Sequence, residues 1–150
     1  MSIAQRNART VWEGPLATGS GHVNSGSGAL TDLAVTWAAR TEQPGGKTSP
    51  EELAAAAHSS CFSMALALVL VERGTPPQRL DVDATVTLEE VDGLPTIVSS
   101  TVLVNAQIAG IDAEQFQQAV DEAAALCPVS RLFAGAKISV HAVLEPSSAR

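Results

Sequence analysis

Residues 48–74 read TSPEELAAAAHSSCFSMALALVLVERG, and this stretch decides the fold. Thr48-Ser49-Pro50-Glu51-Glu52 is a helix start. Ser49 is the expected N-cap, Pro50 suits N1 because its missing N–H would be unpaired there anyway, and Glu52 takes N3 of a capping box. The helix is predicted to run from Pro50 to about Arg73, where Gly74 and the Pro76-Pro77 pair stop it. At about 1.5 Å of rise per residue it is roughly 35 Å long. Ala54 to Ala57 permit close backbone approach, and Phe62 to Val71 is apolar nearly all round. A helix without a wet face is buried centrally, so a sheet is expected on one side and another helix or a second subunit on the other.

Upstream, the Gly-, Ser- and Thr-rich first forty residues carry short candidate strands near 8–13, 21–25 and 33–39. Gly45-Gly46-Lys47-Thr48 superficially suggests a phosphate loop but lacks the leading glycine pattern. Downstream, Leu80, Val82, Ala84, Val86 and Leu88 alternate with polar residues, Asp92-Gly93 makes a turn, and Val98, Ser100, Val102, Val104, Ala106 and Ile108 line one face of a longer strand. A second helix is predicted over 112–125, with Asp112 as its cap and Phe116, Ala119, Val120 and Ala123 on its inner stripe. Cys127-Pro128 interrupts it, a short helix follows to about Phe133, and a last strand covers Lys137 to Leu144, with a frayed tail after Glu145. The expected order is β-β-β-α-β-β-α-α-β, a single α+β domain over 1–150 with antiparallel sheets and neither repeat nor linker.

The bulk chemistry excludes several functions. Sixteen acidic against nine basic residues give a formal charge of -7, and lysine occurs only at 47 and 137. That pattern offers no footprint for nucleic acid and repels phosphate-rich partners. Arg6 and Arg9 are followed by no apolar leader segment, and the longest apolar run, Met64 to Val71, is short for a membrane span. A soluble, cytoplasmic protein without membrane contact is expected. Two cysteines make neither a disulfide scaffold nor a metal site, and His22, His58 and His141 are scattered. The bland reading is two buried thiols serving as small hydrophobes.

Context separates the two. Cys61 lies about eleven positions into the long helix, where burial raises a thiol's pKa and the helix N-terminus no longer helps. A reactive Cys61 therefore needs a cation from elsewhere, and Arg40, at the expected end of the third strand, is the candidate. A buried guanidinium needs a carboxylate, and Glu51 and Glu52 are nearest in sequence. Glu51 precedes Cys61 by roughly 15 Å along the axis, so antiparallel helices from two subunits are expected to bring one subunit's Glu51 toward the other's Cys61. Glu51 also suits the helix dipole whatever else it does. Cys127, just before Pro128, is the expected N-cap of the short helix, where free N–H groups lower a thiol's pKa and suit either an attacking or a resolving role. His58, one turn before Cys61, raises a Cys/His hydrolase reading, but no Gly-rich oxyanion loop accompanies it. A packing or hydrogen-bonding role fits His58 better.

Thr48-Ser49-Pro50-Glu51-Glu52-Leu53 through Ala57-His58-Ser59-Ser60-Cys61-Phe62-Ser63-Met64-Ala65-Leu66 resembles a signature of the OsmC/Ohr family, the osmotically inducible protein C and organic hydroperoxide resistance proteins. Gly110-Ile111-Asp112, Cys127-Pro128-Val129-Ser130 and Trp12-Glu13-Gly14 resemble the same family, and His58 with Ser63-Met64-Ala65-Leu66 looks like its OsmC branch. The resemblance covers essentially the whole chain. It implies an interlocked homodimer with two long central helices. It also implies a thiol peroxidase in which Cys61 attacks an organic hydroperoxide, Cys127 resolves the sulfenic acid, Arg40 stabilises the thiolate and Glu51 partners Arg40, with Arg9 the fallback cation. Phe62, Met64, Leu132 and Phe133 would favour an alkyl peroxide. A dithiol, such as a lipoylated protein, would be the reductant, and no flavin, haem or metal is called for. The alternative is a non-catalytic or small-molecule-binding member of the same fold.

Overall fold

The computed structural model describes residues 1–133, 135 and 137–146; the expected frayed end, from 147 on, lies outside them. The chain groups into two compact units, Met1–Leu53 and Ala54–Arg150.

The first unit holds an antiparallel sheet of β1 (Ala8–Glu13), β2 (Ser20–Ser25) and β3 (Leu33–Val35) in that order. Gly21 sits where a side chain has no room: a Cβ there would come within 2.7 Å of Val35 and 2.9 Å of Trp12. The third strand is shorter than expected and stops at Val35. Thr36 then turns the chain by accepting the Ala39 N–H at 3.1 Å, and Trp37–Thr41 forms a short helix, α1. A capping hydroxyl ahead of Ala38-Ala39-Arg40, all good helix formers, overrides the strand propensity of Val35-Thr36-Trp37. Arg40 therefore belongs to a helix, not to a strand end.

The long helix α2, Pro50–Glu72, starts in this unit and continues in the second. Ser49 accepts the Glu52 N–H at 3.2 Å as predicted, while the Glu52 carboxylate takes the Thr48 hydroxyl at 2.7 Å. At the other end Gly74 adopts φ 75, and Thr75 N–H bonds the Leu70 carbonyl at 2.9 Å, closing the helix in a Schellman-type turn. By length and composition α2 is apolar enough to cross a membrane, because its alanines extend the apolar run beyond Met64 to Val71. In the second unit it is a core helix. Phe62, Leu66, Val69 and Leu70 are buried in one cluster with residues of a sheet and a second helix.

That sheet is β4 (Arg79–Val91), β5 (Leu94–Gln107) and β6 (Lys137–Glu145). The Asp92-Gly93 turn, both residues at positive φ, joins β4 and β5 as an antiparallel hairpin. On β5, Ser100, Val102, Val104 and Ala106 point inward at period two. The helix α3 (Ala113–Leu126) buries Phe116, Ala119, Val120 and Ala123 as its stripe predicts, and starts at a full Asp112/Gln115 capping box. A five-residue α4 (Pro128–Leu132) follows, and β6 then lies parallel to β5. The sheet is mixed, not antiparallel as expected. Alternation reports which face a strand buries but not its direction, and the helical crossover through α3 and α4 allows a parallel return.

On α2, Met64, Leu68 and Val71 remain 73%, 53% and 57% exposed, so among the described residues of the second unit this stripe of the helix is left uncovered. Burial of each large apolar side chain contributes about 1.5–3 kcal/mol, so this uncovered stripe represents a sizeable unsatisfied driving force.

Candidate active site

Arg40 and Glu51 meet within the first unit. Arg40 donates from Nε to both Glu51 oxygens at 3.0 and 3.1 Å and from Nη2 to Oε1 at 2.7 Å. The carboxylate is 10% exposed and the guanidinium 29%, so the pair is largely desolvated and the two-point geometry holds the fork in a fixed orientation. Trp37, one turn earlier on α1, lies 5.8 Å beneath the guanidinium. Nη1 makes no hydrogen bond to another described residue, which leaves one edge of the cation for an external partner. An apolar cleft of about 360 Å³ beside it is lined by Trp12, Leu16, Val35, Trp37 and Leu53. Glu51 reaches Arg40 in its own chain, so a subunit that brought Glu51 toward its partner's Cys61, as expected, would bring Arg40 with it. Arg9, on the exposed strand β1, is not its partner.

The two cysteines meet within the second unit. Both are free thiols, and their sulfurs stand 3.4 Å apart across 66 residues of sequence. A disulfide needs about 2.05 Å, so a modest approach of the two sulfurs closes the bond. Their environments differ. Burial is the main cause that holds Cys61 above the ordinary 9.0; the Val129 N–H pulls it down, and the adjoining Cys127 thiol pushes it up again. Burial acts upward on Cys127 as well. The Ser130 hydroxyl, the Ser130 and Val129 N–H groups and the Cys61 thiol together outweigh it, and Cys127 lies below the ordinary value. Cys127 is the N-cap of α4 with Pro128 at N1, as predicted, although its sulfur makes no regular capping bond. Helix-start N–H groups close to the sulfur favour the anion without one.

Beneath the sulfur pair, His58 is fully buried. Its Nδ1 bonds the Ser100 hydroxyl of β5 at 2.5 Å, its Nε2 bonds the Ser130 hydroxyl of α4 at 2.8 Å, and its ring stands 5.4 Å from that of Phe133. Desolvation holds it below the ordinary imidazole value of 6.5. The hydrogen-bonding role expected of His58 is correct, but its two serine partners were not identified from sequence. Ser100 carried a signal, being the one hydroxyl on the inward face of an otherwise apolar strand.

An open groove of about 540 Å³ adjoins Cys61 and is lined further by Met64, Ala65, Leu68, Leu126 and Pro128. Met64 lines it as expected. Phe62 does not, because it is wholly inside the core.

The family described as OsmC-like protein matches residues 43–141. The chain is 40% identical over 121 residues to the peroxiredoxin OsmC of Escherichia coli, covering 81% of this chain and 84% of that one. It is 34% identical over 116 residues to an organic hydroperoxide resistance protein-like protein of Mycoplasma pneumoniae, covering 75% and 77%. Its fold is similar to the crystal structure of the organic hydroperoxide resistance protein OhrB of Bacillus subtilis, with a TM-score of 0.68 and 29% identity over 93% of this chain and 98% of that one.

Proposed function

This chain belongs to the OsmC-like protein family, and we propose that its thiol peroxidase chemistry runs through Cys61 as the attacking sulfur and Cys127 as the resolving one. The observation that carries this assignment is the 3.4 Å approach of two reduced thiols that sequence places far apart. The Cys61 thiolate attacks the distal oxygen of ROOH, the O–O bond breaks, and the departing alkoxide leaves as the alcohol after taking a proton. Cys61 is left as a sulfenic acid. Cys127 then attacks that sulfur, water departs and the disulfide forms. An external dithiol, such as a lipoylated protein, reduces it by exchange.

Burial disfavours the Cys61 thiolate, so the first step needs a cation. Arg40 is the residue proposed for it, with Glu51 fixing the guanidinium and the remaining Nη1 edge offered to the sulfur and the peroxide oxygens. The apolar groove beside Cys61 favours an organic hydroperoxide over hydrogen peroxide. The exposed Met64, Leu68 and Val71 stripe supports a homodimer closed over α2, in which a subunit that supplies Glu51 supplies Arg40 with it. A cytoplasmic setting, which keeps thiols reduced between turnovers, suits this chemistry.

Stopped-flow mixing of the reduced protein with cumene hydroperoxide, followed by mass spectrometry, tests the assignment. Stoichiometric peroxide consumption and a Cys61–Cys127 bond are expected. Peroxide left untouched, or oxidation that spares both cysteines, would sink it.

A further inference from the structure

The peroxidase reading leaves one buried, titratable side chain without a task. His58 is fully enclosed, and hydroxyls from two different elements bind its two ring nitrogens. An aliphatic residue would fill the same space without the desolvation that a polar ring incurs. Ser130, the partner of Nε2, is the N3 residue of α4, and N3 is the position whose side chain folds back toward the N-cap. The N-cap is Cys127. Ser100, His58 and Ser130 thus form one hydrogen-bonded file, which ends within one helical turn of Cys127, and the Cys127 sulfur stands 3.4 Å from that of Cys61.

We propose that His58 and Ser130 are positioning residues for the second half-reaction, with His58 orienting the Ser130 hydroxyl onto Cys127 so that Cys127 meets the Cys61 sulfenic acid as a thiolate. This deepens the peroxidase reading and rests on it. The proposal fixes one of the two neutral tautomers of His58, the one that frees the Ser130 hydroxyl proton. The Ser100 O–H donates to Nδ1, Nε2–H donates to the Ser130 oxygen, and the Ser130 O–H is left to donate to the Cys127 sulfur. The arrangement requires a neutral imidazole, and burial keeps His58 in that form at neutral pH. Among the described residues, the ring bonds the Ser100 and Ser130 hydroxyls and stands against the Phe133 ring; the titratable groups beyond Ser130 are the two thiols, and burial is the cause of the His58 shift. In the step itself a bond forms between the Cys127 and Cys61 sulfurs and the S–O bond of the sulfenic acid breaks. The departing hydroxide takes up the proton that Cys127 released, so a thiol and a sulfenic acid give a disulfide and one water.

The test uses Ser130→Ala, with Ser130→Thr restoring the hydroxyl and His58→Phe removing only the orienting group at similar volume. In a Cys61→Ser background, the ultraviolet thiolate absorbance of Cys127 is titrated. Its apparent pKa should rise by about one unit in Ser130→Ala, by less in His58→Phe, and return in Ser130→Thr. In the two-cysteine protein, one equivalent of cumene hydroperoxide should give sulfenic acid at the parent rate but disulfide about tenfold more slowly at neutral pH, with more dimedone-trapped Cys61. A purely structural role for His58 and Ser130 would lower stability without moving the titration. Parent-like titration and parent-like closure in both Ser130→Ala and His58→Phe would overturn the proposal. Absence of any sulfenic acid in the parent protein is a different failure, and would overturn the peroxidase assignment instead.

Discussion

The middle of α2 and the break between α3 and α4 each contribute one cysteine to the same sulfur pair, yet they treat the thiol in opposite ways. In α2 the backbone N–H groups around Cys61 are consumed by the helix, so burial prevails over the one N–H that reaches the sulfur, that of Val129, and the thiol is pushed up. At the break, Pro128 restarts the chain, N–H groups of α4 and the Ser130 hydroxyl face the sulfur, and Cys127 is drawn down although it is the more deeply buried of the two. Burial therefore does not rank the two thiols. What ranks them is whether polar donors remain for the anion. In the mechanism proposed above, Cys61 borrows its activation from a distant part of the sequence, whereas Cys127 carries its own.

The largest expected effect is the loss of either partner. Cys61→Ser should reduce peroxide consumption by more than about a thousandfold, and Cys127→Ser should keep a single turnover but drive Cys61 on to sulfinic acid under excess peroxide. Intact mass before and after one and ten equivalents of peroxide distinguishes the two. If Cys127→Ser instead abolishes the first oxidation, the roles are reversed.

Next comes the borrowed cation. Arg40→Met should slow Cys61 oxidation by roughly a hundredfold, measured by stopped flow. Arg40→Lys should recover only part of it, because a point charge cannot keep both the Glu51 fork and an edge for the sulfur. Full activity in Arg40→Lys would show that charge alone suffices.

A smaller effect sharpens the contrast by pH. In Arg40→Met the oxidation rate should climb about tenfold per pH unit up to an inflection above the ordinary thiol value, since only the thiolate attacks and burial raises the Cys61 pKa. A flat profile between neutral and alkaline pH would contradict the environment assigned to Cys61.

The smallest effect concerns stability. His58 has a folded pKa below its unfolded value, so its neutral form favours the native state fully above pH 6.5, and that contribution is lost as pH falls through the folded pKa. Urea denaturation of the parent should therefore weaken between neutral and mildly acidic pH. His58→Phe should start about 1–3 kcal/mol less stable at neutral pH, from unpaired Ser100 and Ser130 hydroxyls, and lose less on acidification. Parallel pH curves for the two would exclude a buried neutral imidazole.

Much of this was legible in the chain. Ser49, Asp112 and Pro128 mark helix starts through local chemistry that tertiary structure has no reason to override, and all three starts stand where the residues put them. The inward stripes of α3 and β5 follow from periods of 3.6 and 2. Two expectations failed where local signals compete or are silent. Val35-Thr36-Trp37 has strand propensity, but Thr36 is also a capping residue, and the cap prevailed. Alternation in residues 137–144 identifies a strand and its buried face but carries no information on direction, so its parallel pairing with β5 was invisible.

The sequence by itself determined the helices α2, α3 and α4, the places of the strands, and the mid-helix and helix-break positions of Cys61 and Cys127. These depend on neighbours within a turn or two of the same segment. Only the tertiary structure decided that the two sulfurs come within 3.4 Å, that Glu51 holds Arg40 in its own chain, and that His58 is bracketed by Ser100 and Ser130. Such contacts join positions 11 to 72 residues apart. They depend on how packed surfaces bring elements together, which no local periodicity encodes.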